Sequence, residues 1–508
     1  MHIGVDMTKC KSYAQCCFLA PDTFEFDGEE ALVYDPAPDD THRLRILQAA
    51  AACPVQAIRI DHRDLEADAS PAPATGTPGS LTATDRVVVV GASLAGLRTA
   101  EALRREGFTG RLVVIGAESH EPYDRPPLSK QVLTGTTSAG DTTLPRTRDV
   151  DAEWRLGVAA TGLDLDAHEV VLAGGERVGF DRLVIATGSS ARPWPDAEQA
   201  ALEGVHTLRT ADDAAGLRRH LQDRPRRVLV VGGGFTGSEV ASVCRTLDLP
   251  VTLIDRGPAP LTGGLGEAVG AVAAEIQREH GVDLRSRTSV TALEGDADGR
   301  LRRARLSDGS TLEVDVAVIA LGAVRNVGWL VEAGLDADER GVTVDAQCRA
   351  LDRDGQVVPH VFVAGDVARF PHPILDGGLL SVEHWGNAVA QAEVVAHNLV
   401  TGGTAEHDAV PVFWSIQFGH VLKAVGVPSC ADESVVAQGS LESRSFVVVY
   451  GARGRTVGAV ALDQSKWLDH YARQIAAGAP FPPRDRTVHG PPNLTTVSAG
   501  ARPTASVQ

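Results

Sequence analysis

The sequence predicts a multidomain, mostly α/β chain: a small acidic domain, then two units that each run strand, glycine-rich turn, helix. Three observations lead there. Residues 61 to 84, DHRDLEADASPAPATGTPGSLTAT, shift abruptly to Ala, Pro, Thr, Gly and Asp without apolar periodicity, the composition of a linker. RVVVVGASLAG and RRVLVVGGGFTG repeat one pattern, a β-branched run entering a glycine-rich turn and then a helical pattern. Four of the seven cysteines stand at positions 10, 16, 17 and 53, ahead of the linker.

With 508 residues, 43% of them hydrophobic, several domains can each bury a core. The formal net charge of −18 argues against nucleic acid or an anionic membrane as the main partner, because either would repel the chain at long range. No uninterrupted apolar stretch approaches the roughly 20 residues that span a bilayer, and the N-terminus lacks a basic start followed by an apolar run. A cytoplasmic protein is expected. An odd number of cysteines crowded toward one end suggests metal ligation in a reducing compartment more than a secreted disulfide framework.

Residues 1 to 60 carry nine acids against five bases and are too few to rest on a large core alone, so a metal staple is expected. Cys10 and Cys16 lie in CKSYAQCC and Cys53 opens CPVQAI. This resembles the bacterial ferredoxin run, in which thiolates hold an iron-sulfur cluster and the last cysteine precedes proline. Tyr13 stands where the four-iron pattern has a cysteine. The resemblance therefore implies an α+β ferredoxin-like domain with a 3Fe-4S cluster on Cys10, Cys16 and Cys53. Cys17 could supply a fourth thiolate, but adjacent residues rarely face the same way, and its other reading is a buried small hydrophobe beside the cluster. Zinc is the rival, without a CxxC pair to support it.

In the first repeat unit the candidate contacts are Gly91, Ser93, Ala95 and Gly96, with Ser93 replacing the second glycine of the dinucleotide fingerprint. Glu118 follows the next strand, LVVIG, where a carboxylate can accept from ribose hydroxyls. The second unit has all three glycines, Gly232, Gly234 and Gly237, with Phe235 and Thr236 between them and Asp255 closing the strand VTLID. An acid there favours NADH over NADPH by repelling a 2'-phosphate, although Arg256 is its neighbour.

Two such units, with EPYDRPPLSK (121 to 130), VFVAGD (361 to 366) and SVEHWGNAVAQ (381 to 391), closely resemble the ferredoxin reductases of the glutathione-reductase-like flavoprotein superfamily. The resemblance implies an FAD-binding domain over 85–200 and 328–410, an NAD(H)-binding domain over 201–327 and a C-terminal α+β interface domain over 411–490, which PVFWSIQFG begins. A disordered tail is expected over 491–508. It further implies that Arg125 and Lys130 lie near the flavin, that Arg192 contacts FAD, that Asp366 holds the ribityl and phosphate region, that Trp385 lies at the isoalloxazine, and that Glu239 pairs with Lys130 beside the ring.

Outside the first domain only Cys244, Cys348 and Cys430 remain, with no CxxC or CxxxxC pair, so a thiol-disulfide reductase is not expected. FAD can take a hydride and release electrons singly, and the attached ferredoxin is the natural acceptor. The expected function is electron transfer from NADH through FAD to the fused ferredoxin and on to a cytochrome P-450 type monooxygenase or another ferredoxin-dependent oxygenase. A redox-sensing flavoprotein and the reductase of a ring-hydroxylating dioxygenase are the alternatives. As a flexible tether, about 24 linker residues would span of order 25 to 30 Å.

Overall fold

The structure, a computed structural model, describes all residues except 1, 6–14, 21, 28–30, 54–56, 61–79, 147, 149, 484–494 and 499–508. It divides into two compact units: Met1–Tyr123 with Thr143–Gly188 and Arg325–Ala409, and Asp124–Thr142 with Ser189–Val324 and Val410–Gln508.

The N-terminal domain is α+β. Strands Ile3–Val5 and Ile58–Ile60 pair antiparallel, as do Phe24–Asp27 and Ala31–Tyr34, around helices Gln15–Leu19 and Arg43–Ala52. Its core is Ile3, Cys16, Ala20, Phe24, Leu32, Ile46, Ala49 and Ile58, small as expected for a domain of this length.

The rest of the first unit is built on a sheet in the spatial order Arg349–Leu351, Val357–Val363, Arg182–Ile185, Arg86–Val90, Arg111–Gly116, Glu153–Leu156. The strands from Val357–Val363 onward run parallel. Parallel strands are covered on both faces, and accordingly Val87 to Val90 are all buried, as a continuous β-branched run predicts. Helices Leu94–Arg105 and Trp385–Thr401 pack together and share one core with the sheet. That core takes in Leu81, 5% exposed, whose N–H donates to the Leu399 carbonyl at 3.1 Å. The linker expected to reach residue 84 therefore ends by residue 80, because an apolar side chain and a backbone donor are already docked; residues 61–79 lie outside the described residues.

In the second unit, Val205–His206, Val316–Ile319, Val228–Val231, Val251–Asp255 and Asp283–Ser286 form a five-stranded parallel sheet in that order. The C-terminal domain adds an antiparallel sheet, Val412–Gln417, His420–Gly426, Arg455–Leu462, Ser445–Ala452, Glu433–Ser440 and Thr495–Ser498, with helix Leu468–Ala476. Two expectations change here. Thr495–Ser498, inside the tail expected to be disordered, pairs antiparallel with Glu433–Ser440, satisfying backbone groups along that strand's outer edge. Asp124–Thr142, expected within the FAD-binding domain, belongs to the second unit: its helix Gln131–Thr134 packs on helix Ala211–Gln222, and Arg125 Nη1 donates to the Arg209 carbonyl at 2.8 Å.

The second glycine turn separates two kinds of glycine. Gly232 has φ +109°, and a Cβ there would lie 2.2 Å from the Ala320 carbonyl oxygen. A Cβ on Gly234 would meet nothing within 4 Å. Gly232→Ala should therefore destabilise the second unit by about 2 kcal/mol or more, whereas Gly234→Ala should stay within about 0.5 kcal/mol of the parent in chemical denaturation. Equal losses in the two variants would contradict this packing.

Candidate functional site

In the first unit the buried strand Arg86–Val90 delivers the chain to Gly91, whose φ of +123° and proximity to the Ala186 carbonyl, 2.1 Å from an added Cβ, exclude any side chain. Helix Leu94–Arg105 then starts at Ser93, which makes no side-chain cap. Gly96 lies so close under the turn that a Cβ would sit 1.8 Å from the Gly91 carbonyl oxygen, and Ala95 is buried beside it. An N-terminus left uncapped by its own side chain, with Ala95 and Gly96 in its first turn, suits a pyrophosphate. Glu118, just beyond the next strand, accepts from the Tyr123 hydroxyl at 2.5 Å.

The other end of this unit's candidate site rests on buried amides. The Gly365 N–H donates to Gln391 Oε1 at 2.8 Å, Asn387 Nδ2 donates to the same oxygen at 3.2 Å, and His407 Nε2 lies 2.9 Å from Asn387 Oδ1. Burial pushes His407 down to about 3, so it stays neutral and acts as a donor to the amide. This network fixes the turn that carries half-buried Asp366. His384, the residue before helix Trp385–Thr401, is pushed down to about 4 by burial, with the Asp366 charge pulling the other way. Trp385 is half-buried at the first position of that helix, and Arg325 Nη1 holds Glu383 Oε1 at 2.5 Å.

The second unit repeats the turn. Strand Val228–Val231 leads to Gly232, Gly234 caps helix Phe235–Thr246 without a side-chain bond, and a Cβ on Gly237 would lie 2.0 Å from the Gly232 carbonyl oxygen. The space beside Gly234 leaves the helix N-terminus open to a phosphate. Asp255 ends its strand with Oδ2 accepting from the Gly233 N–H and Oδ1 from the Gly257 N–H, both at 2.6 Å. Its carboxylate is thereby locked at the edge of the turn, where a nucleotide ribose would lie.

Lys130 and Glu239 come together: Nζ lies 2.7 Å from Oε2, with the two side chains 16% and 8% exposed. Ser129 Oγ also donates to Oε2, and Ser415 Oγ donates to Oε1 at 2.6 Å. The two serines are site residues that sequence reasoning missed. Gln391 is a third, and its signal was a set of amides, Asn387, Gln391 and Asn398, that are all buried on one helix. Arg192 is exposed, its Nη2 donating to the Ala323 carbonyl at 3.4 Å.

In the N-terminal domain Cys16 is buried in the core, and Cys17 and Cys53 pack against that same core. The Ala57 N–H donates to Cys53 Sγ at 3.3 Å, a donor suited to a metal-bound thiolate. Cys10 and Tyr13 lie outside the described residues, and among the described residues no three His, Cys, Asp or Glu side chains are grouped as a metal site.

Comparison with known proteins agrees with both halves. Residues 85–392 match the pyridine nucleotide-disulphide oxidoreductase model, 412–488 the reductase C-terminal model, and 5–60 the model described as the 4Fe-4S single cluster domain of ferredoxin I. The chain is 37% identical to the ferredoxin–NAD(+) reductase component of the p-cumate 2,3-dioxygenase system of Pseudomonas putida, over 67% of this chain and 81% of that one. It is 34% identical to putidaredoxin reductase of Pseudomonas putida, over 73% and 86%. The crystal structure of the covalent putidaredoxin reductase–putidaredoxin complex aligns with TM-score 0.73 and 31% identity, covering 78% of this chain and 94% of that one. No helix among the described residues is long and apolar enough to cross a membrane. The chain belongs to the pyridine nucleotide-disulphide oxidoreductase family, as an FAD-dependent ferredoxin–NAD(P)+ reductase fused behind an iron-sulfur ferredoxin domain.

Proposed function

We propose that the chain draws electrons from NADH, passes them to a 3Fe-4S cluster in its own N-terminal domain, and delivers them to a cytochrome P-450 type monooxygenase. The observation that supports this route is the joining, in one chain, of two glycine turns suited to nucleotides with a cysteine domain, while the three remaining cysteines are poor electron acceptors. Burial pushes Cys244 up to about 12 and Cys430 to about 11, and raises Cys348 as well, so none supplies thiolate near neutral pH. With these thiols set aside, the cysteine domain on the same chain is the proposed acceptor.

Bound FAD supplies the two-electron to one-electron conversion that links nicotinamide to a one-electron centre. The chain's residues bind and orient. Gly91, Ser93, Ala95, Gly96 and Glu118 would receive the pyrophosphate and ribose, Asp366 the ribityl and phosphate region, and Arg125, Arg192 and Trp385 the remainder. Lys130, held by Glu239, would supply a fixed positive charge beside the bound flavin, where it would favour the reduced form. Gly232, Gly234, Phe235, Thr236 and Gly237 would cradle the nicotinamide nucleotide, with Asp255 on its ribose. Cys10, Cys16 and Cys53 would hold the cluster. The relatives include components of dioxygenase systems, so delivery to a ring-hydroxylating dioxygenase is the second reading.

Two measurements test the route. The protein isolated in air should show a half-spin EPR signal that disappears on reduction; Cys53→Ser should abolish it and with it NADH-driven cytochrome c reduction, while Cys17→Ser should keep both. An EPR-silent protein with four irons per cluster would reject the three-iron assignment. Steady-state kinetics should give a higher kcat/KM with NADH than with NADPH. Asp255→Ala should narrow the gap about tenfold or more, mainly through KM, as expected for a charged hydrogen bond worth about 1.5–3 kcal/mol in both ground and transition states. A preference for NADPH in the parent protein would overturn the role given to Asp255.

A further inference from the structure

The first strand of the C-terminal domain, Val412–Gln417, reads along helix Phe235–Thr246 turn by turn. The Phe413 ring meets Phe235 edge-on with centroids 4.5 Å apart, Ser415 Oγ donates to Glu239 Oε1 at 2.6 Å, and the Phe418 N–H donates to Ser242 Oγ at 2.7 Å. Positions 235, 239 and 242 share one helix face, and 413 and 415 share one strand face. The register of strand on helix therefore decides which side chain meets Glu239.

Ser415 is fully buried, and its hydroxyl is oriented from behind, because Gln417 Nε2 donates to Ser415 Oγ at 2.9 Å. With that acceptor position filled, the Ser415 proton is directed at Glu239. The carboxylate thus accepts on Oε1 from the C-terminal domain and on Oε2 from Ser129 and Lys130. Without the Ser415 donor, Oε1 of this buried carboxylate loses a hydrogen bond and is free to turn toward the remaining donors, changing the seat of the ammonium.

We propose that Ser415 is a positioning residue for the hydride step: from the C-terminal domain it sets the orientation of Glu239 and, through it, the placement of Lys130. This rests on the reading above that the Lys130 and Glu239 pair serves that step. The interface domain then completes the reducing site as well as packing on helix Phe235–Thr246.

The test compares Ser415→Ala, Glu239→Gln and the double variant in the full chain, with two readouts. One is stopped-flow reduction of the flavin by NADH, resolved into a limiting rate and an apparent Kd; the other is competitive amine labelling of Lys130 by peptide mass spectrometry, with Lys466 as internal control. Ser415→Ala should lower the limiting rate about tenfold with less than about a twofold change in Kd, and adding it to Glu239→Gln should have no further effect. Lys130 should label several-fold faster in Ser415→Ala while Lys466 is unchanged. If Glu239→Gln slows reduction but Ser415→Ala leaves rate and labelling at parent values, this inference fails and the role of the pair stands. If neither variant slows reduction, the reading of the pair fails and the inference with it. Additive effects in the double variant, or equal acceleration at Lys466, would mean general loosening and would also overturn it.

Discussion

Glu239 keeps 6% of its surface exposed, and burying a carboxylate costs several kcal/mol unless donors replace the water it loses. The replacements come from segments far apart in the chain: Ser129 and Lys130, which follow a proline pair, and Ser415, 176 residues beyond Glu239. Satisfying that one group therefore ties the segment Asp124–Thr142 and the first strand of the C-terminal domain to the helix that opens the second nucleotide turn. Breaking a buried pair by removing one partner typically costs about 3–5 kcal/mol, so the geometry is strongly specified. The same constraint explains why Asp124–Thr142 folds with the second unit although its neighbours in sequence build the first.

The two glycine turns solve one problem twice. Each brings a strand end, a carbonyl and a helix N-terminus so close that Gly91 and Gly232 must adopt positive φ, and each leaves its helix without a side-chain cap. They differ in what stands beside the turn. The second has Asp255 locked by two backbone N–H groups, whereas in the first Glu118 is engaged by Tyr123. A carboxylate already held in place loses little freedom on meeting a ribose, which favours selectivity at the second turn.

Local pattern carried much of this. The β-branched runs before each glycine turn and the cysteine spacing of the first domain are short-range signals, and the strands, helices and family follow from them. The pairing of Lys130 with Glu239 was legible only through the resemblance, because nothing in the local sequence of either residue names the other. Ser415 was not legible at all: a serine in an alternating strand carries no mark of a partner 176 residues away. Leu81 and Thr495–Ser498 were missed for related reasons. One apolar residue inside linker composition, and a strand held by backbone pairing to an open edge, leave almost no periodicity to read.

On the proposed route, fusion makes the acceptor part of the donor. From Ile60 to Ser80 the chain can span at most about 70 Å, so the cluster domain never leaves the neighbourhood of its reductase. A partner on such a tether is present at an effective concentration that can reach the millimolar range, far above that of free ferredoxin at micromolar levels. The most direct test is anaerobic stopped-flow mixing of the full chain with NADH at a series of protein concentrations, following cluster reduction after flavin reduction. The account predicts one rate constant across the series, becoming concentration-dependent once the chain is cut between residues 61 and 79. A rate that rises in proportion to the concentration of the intact protein would show that each cluster is served by another molecule, and would contradict it.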